Sequence, residues 1–160
     1  SGTIVSYHTL TGPDTLTTND GQMIRLATAT SVSEWAHSFG LTAPNDAPDA
    51  DPDGDQLTNF IEHALGTHPG TTTTNASTAD FSPDLKTLTF RFNRPVNHRT
   101  IGFQYLLQRS SNLSQASWNE AVPSNTFISP HPTDSSLEAV TLTVPITAGT
   151  GFFRLKVAGW

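Results

Sequence analysis

A chain of 160 residues, 35% hydrophobic and only 14% charged, can bury a core without covalent staples and must cover it with uncharged polar groups. It holds no Cys, which excludes disulfides and thiol chemistry, and no apolar run near the roughly 18 residues a membrane-spanning helix needs. The net charge of −6 is local, because residues 46–62 hold Asp46, Asp49, Asp51, Asp53, Asp55 and Glu62 with no Lys or Arg; the other acids balance the eight bases, which form no dense patch, so the charge points to a bound cation and away from nucleic acid.

Residues 1–30 carry two strand-like stretches, Thr3–Leu10 and Gln22–Thr28, joined by turn-rich G-P-D and N-D-G segments. Beginning at Ser1, the chain reads as a mature protein or as a piece of a longer one. Ser31–Leu41 predicts a short amphipathic helix, with Ser31 or Ser33 as cap, Glu34 in the first turn and Gly40 at the end. Trp35 and Phe39 lie four apart, share a face and pack on a neighbour. Residues 42–56, rich in Pro, Asp and Ala, form neither helix nor strand.

From Leu57 the pattern turns helical again, with Leu57, Phe60, Ile61 and Leu65 at i, i+3, i+4 and i+8. Gly66 ends this second helix and Pro69 bars its return. The polar run G-T-T-T-T-N-A-S-T-A-D follows, and residues 73–80 read as a Thr-rich linker or loop.

After Phe81 the period becomes two. Leu88, Phe90 and Phe92 alternate with Thr and Arg, and Val140, Leu142, Val144 and Ile146 alternate with Thr141, Thr143 and Pro145. Ile101–Arg109, Thr126–Ser129, Ala139–Ile146 and Gly151–Val157 are further strands. The expected fold is mainly β: an antiparallel β-sandwich over 81–160 carrying a short two-helix calcium-loop insertion over 31–72, after an N-terminal strand segment over 1–30.

Residues 51–62, D-P-D-G-D-Q-L-T-N-F-I-E, are the chemical centre of the sequence. A twelve-residue calcium loop supplies oxygens from positions 1, 3, 5, 7, 9 and 12, the last a bidentate carboxylate. Counted from Asp51, these are Asp51, Asp53, Asp55, the Leu57 carbonyl, Asn59 and Glu62. Position 6, where the loop turns sharply and Gly is usual, is Gln56, at a backbone cost of about 1–2 kcal/mol. Counting from Asp49 puts Gly54 at position 6 but Phe60 at position 12. Losing that carboxylate is the heavier cost, so the Asp51 register is preferred, with Asp49 as an outer or additional ligand. Five aspartates crowded without a cation repel one another, so the ion contributes to folding, with an affinity around 10⁻⁴–10⁻³ M outside the cell.

The loop, followed by A-L-G-T-H-P at 64–69, has company along the chain. S-E-W-A-H-S-F-G-L stands at 33–41, Y-L-L-Q-R-S-S-N-L at 105–113 with Trp118 after it, and F-F-R-L-K-V at 152–157. In this order the motifs resemble a C-terminal region of secreted Verrucomicrobia and Planctomycetes proteins. That region carries a dockerin-like or thrombospondin type 3-like calcium loop followed by a β-rich sandwich. The likeness spans about residues 31–160; the family usually has Gly where Gln56 stands and Tyr where His63 stands. It implies an exported, non-catalytic accessory region, secreted or at the bacterial cell surface, often at the end of a larger protein.

An enzyme is not expected. His residues stand at 8, 37, 63, 68, 98 and 131. His63 and His68 lack the i, i+4 spacing of a helical metal pair, and His98 has no motif-linked nucleophile or acid. No G-x-S-x-G elbow, H-E-x-x-H helix or phosphate-binding Gly loop is present. Trp35, Trp118 and Trp160, with Tyr7 and Tyr105, could offer a sugar-stacking platform, but packing roles suit Trp35 and Trp118 better. The leading function is a calcium-stabilised extracellular structural or attachment module. The alternatives are a self-assembling fibre subunit, with Thr3–Leu10 added as a strand to a neighbour's sheet, and a carbohydrate-binding module. The expected partners are the chain itself, a larger parent protein or a glycan, with no nucleic acid and no membrane span.

Overall fold

The computed structural model describes residues 15–17, 23–25, 31–114, 117–146 and 151–159, the first two stretches through their backbone. In chain order these hold β1 (Thr15–Thr17), β2 (Met23–Arg25), α1 (Val32–Ser38), α2 (Asn59–Leu65), β3 (Ser77–Phe81) and β4 (Thr87–Pro95). There follow α3 (His98–Ile101), β5 (Gln104–Ser110), β6 (Asn119–Glu120), β7 (Asn125–Pro130), β8 (Leu137–Pro145) and β9 (Phe152–Ala158). The fold is mainly β, and every pairing among the described strands is antiparallel.

The strands form a four-stranded sheet in the order β3-β4-β8-β7, a three-stranded sheet β6-β5-β9 and the separate pair β1-β2. Period-two patterning explains the first. Leu88, Phe90 and Phe92 register against Val144, Leu142 and Val140, and all six are buried. Each such side chain contributes about 1.5–3 kcal/mol by leaving water. Leu107 of β5 joins this core, with Tyr105, Phe153 and Leu155 packed against it. Two ring pairs cross from sheet to sheet: Phe90 to Phe153 at 6.4 Å and Phe92 to Tyr105 at 5.4 Å.

Helix α1 begins with a capping box. Ser31 Oγ accepts from the Glu34 N–H at 3.2 Å, and the Ser31 N–H donates to Glu34 Oε2 at 2.8 Å. Helix α2 ends at Gly66, whose φ of 67° is left-handed and where a Cβ would collide with the Leu137 side chain. The two helices meet through rings. Trp35 stacks flat on His63 at 4.6 Å, and Phe39 sets its edge against Trp35 at 5.1 Å and His68 at 4.7 Å. Leu65 is part of the main core and Ile61 packs on it, so α2 is the helix that joins the loop segment to the sheets.

Three sequence expectations change. Residues 77–80, expected in a Thr-rich linker or loop, belong to β3, an edge strand exposed along its whole length. Ile101 does not open a strand; it closes the one-turn α3, Gly102 turns the chain at φ 99°, and β5 starts at Gln104. Gln22–Thr28 is represented by Met23–Arg25, whose partner Thr15–Thr17 lies in the stretch read as a connection. The expected strand Thr3–Leu10 lies outside the described residues.

Candidate metal centre

The loop between the helices is shaped by its own acids. Asp51 accepts at both oxygens, from the Gly54 N–H at 2.9 Å and the Gln56 N–H at 3.0 Å. Asp53 Oδ1 accepts from the Asp55 N–H at 3.2 Å, and Asp55 Oδ1 from the Leu57 N–H at 2.8 Å. Short acidic side chains that bond backbone two to five residues ahead fold the chain into successive tight turns. The result gathers Asp51, Asp53 and Asp55, with one carboxylate oxygen of each within 4.8 Å of the others. This triad can hold a metal ion.

The group closed to within 4.8 Å holds those three aspartates alone; Glu62 feels their charge but does not join it. Asn59 and Glu62 are fully buried on the first turn of α2. Asn59 Nδ2 donates to the carbonyls of Asn45 at 2.8 Å and Ala47 at 2.7 Å, which fixes the amide and leaves Oδ1 as its free acceptor. Glu62 Oε1 has a long contact of 3.4 Å with Thr67 Oγ1, and Oε2 has no partner. Leu57, expected to give its carbonyl, is half-buried and pinned through its N–H to Asp55.

Four buried side-chain polar atoms lack a hydrogen-bond partner among the described residues: Asp53 Oδ2, Asn59 Oδ1, Glu62 Oε2 and His63 Nδ1. Three of the four are oxygens at loop positions 3, 9 and 12. Such atoms cost roughly 1–3 kcal/mol each when left unpaired, more when charged, so their coincidence at ligand positions fits a cation. Electrostatics agrees. Burial, then Asp53, Asp55 and Asp51, push the Glu62 carboxyl up from 4.5 to about 7. A divalent cation would reverse that shift, because it favours the charged carboxylate.

Gln56 sits at φ 75°, the left-handed strain expected of it, and Gly54 turns at the same angle. Two acids of the run stand apart from the triad: Asp46 pairs with His37, and Asp49 is exposed. Sequence reasoning did not find the outer supports. The Thr73 N–H donates to Asp55 Oδ2 at 2.7 Å, and the Asn45 and Ala47 carbonyls orient Asn59. All three act through backbone atoms, which leave no residue signature.

The other weighed residues are engaged elsewhere. His63 is stacked on Trp35, and its burial pulls its pKa down to about 4. Buried His98 places Nδ1 3.1 Å from the Pro95 carbonyl. Trp118 carries the Arg154 guanidinium over its ring at 4.2 Å. Tyr7 and Trp160 lie outside the described residues. No helix among the described residues is long and apolar enough to cross a membrane.

A comparison with protein-family models, curated proteins and solved structures found no match for this chain.

Proposed function

We propose that this chain is a non-catalytic, calcium-stabilised structural or attachment module of an exported protein. The observation that carries the reading is Glu62. Its carboxylate is fully buried, Oε2 has no partner, and burial, then three aspartates, raise its pKa. A carboxylate is retained in such a place when a cation is there to compensate it.

The donor chemistry supports calcium as the ion. Asp51, Asp53, Asp55, Asn59, Glu62 and the Leu57 carbonyl offer oxygen alone, the preference of a hard cation, and the count suits the six to eight ligands of calcium. When bound, calcium supplies the positive charge that lets these carboxylates share one buried site. The chain's own residues do the rest: the Asn45 and Ala47 carbonyls aim Asn59, Thr73 anchors Asp55, and α2 holds Glu62 out of solvent. Ion binding and the docking of α2 on the sheets are thus one event. The resemblance of the ordered motifs to secreted bacterial C-terminal regions supports an extracellular setting, where millimolar calcium matches a loop of modest affinity.

Calorimetric melting of the full chain in EGTA, in excess calcium and in excess magnesium tests the reading. Calcium should raise the melting temperature well beyond magnesium. Superimposable melts in EGTA and calcium would sink it.

A further inference from the structure

Among the described residues, the two larger sheets have four edge strands: β3, β7, β6 and β9. Exposed edges are templates for pairing, and proteins blunt them with charge. Three of these edges follow that rule, since β3 carries Asp80, β6 carries Glu120, and β9 carries Arg154 and Lys156. β7, with the sequence N-T-F-I-S-P, carries no charge at all. It also presents large apolar groups on both faces, with Phe127 61% and Ile128 45% exposed.

Register shows what is unfinished there. Phe92, Val140 and Ile128 lie in one row across β4, β8 and β7. Exposure along that row runs 5%, 2% and then 45%, so the apolar face of the sheet continues into β7 but its cover does not. The geometry points to a second copy of this chain as the occupant, pairing β7 against β7 in antiparallel fashion about a two-fold axis. An uncharged strand meets its own copy without like-charge repulsion, which the other three edges would impose. Pro130 has no N–H and ends the ladder, so the usable segment is 125–129, centred on Phe127. Phe127 then faces its own counterpart on one side of the sheet, and Thr126 faces Ile128 on the other. The two four-stranded sheets become one continuous sheet. This pairing does not depend on the metal centre, so it is measured both in calcium and in EGTA.

Sedimentation velocity of the full chain over a wide concentration range is the test. A monomer–dimer equilibrium is expected, weakened by roughly tenfold or more in Phe127→Lys, which places two ammonium groups opposite each other, and unchanged in Thr78→Lys on β3. Phe127 is exposed, so the variant should fold, and its circular dichroism spectrum is to match that of the parent. Because the chain has no Cys, Phe127→Cys supplies an independent readout: it should form a disulfide-linked dimer in air, whereas Thr78→Cys should not. A chain that stays monomeric at every concentration overturns the proposal. So does a dimer that survives Phe127→Lys, or one that disappears when residues 1–10 are deleted with β7 intact.

Discussion

The Tyr105 hydroxyl donates to the Ala64 carbonyl over 2.5 Å, and this one bond ties the helix that carries Glu62 to the middle strand of the three-stranded sheet. Tyr105 is otherwise a core residue, stacked on Phe92 and set edge-on to His98. Tyr105→Phe keeps that packing and strands one carbonyl. It should cost about 1 kcal/mol, read as a lower urea midpoint with unchanged slope. A loss below a few tenths of a kcal/mol would show that apolar packing alone seats α2.

Glu62 makes the metal-free protein sensitive to alkali. Its folded pKa of about 7 lies above its ordinary 4.5, so the fold favours the protonated form. The associated stability is fully present below about 4.5 and is lost as pH rises through 7. In EGTA the melting temperature should therefore fall between pH 5 and 8, and saturating calcium should remove that slope. Glu62→Gln should melt higher than the parent in EGTA at pH 8 and gain little from calcium. Parallel pH profiles for the two proteins would contradict this.

His63 acts on the acid side with the opposite sign. Burial lowers its pKa to about 4 from 6.5, so protonation opposes folding and stability is lost as pH falls from 6.5 toward 4. His63→Tyr keeps a ring beneath Trp35 and removes the titrating group. The difference in melting temperature between variant and parent should grow in favour of the variant across that window. A constant difference would place the acid sensitivity elsewhere.

Gln56 holds a left-handed φ of 75° with only its backbone N–H engaged by Asp51. Gln56→Gly relieves the strain and should stabilise by about 1 kcal/mol, offset in part by the freer unfolded chain. Isothermal titration should show calcium affinity unchanged or improved. A clear loss would mean that the Gln56 side chain supports the site.

Much of this architecture was legible because local chemistry and tertiary context agree. The Ser31–Glu34 box, the stop at Gly66 and the Leu88–Phe90–Phe92 alternation each state their structure in a few neighbouring residues. β3 was not legible, because every one of its residues is exposed and an edge strand without an apolar face has no period to detect. α3 is a single turn, too short for any helical repeat. At the candidate metal centre, spacing along the chain marked the Asp51, Asp53 and Asp55 triad. It was silent on Asn45, Ala47 and Thr73, whose contributions come from backbone groups 12 to 18 residues away from their partners.

The five donors that shape the loop's aspartates, at Gly54, Asp55, Gln56, Leu57 and Thr73, are all main-chain amides. Side chains at Leu57 and Thr73 take no part in these bonds, whereas Asp55 is itself one of the acids and Gly54 and Gln56 carry a left-handed φ that penalises most side chains. Proline is barred from all five, since it has no amide hydrogen to give. The loop's turns thus rest on a sparse requirement, a few acidic oxygens and the main-chain amides that reach them, so a substitution at Leu57 or Thr73 that spares the amide leaves those turns intact.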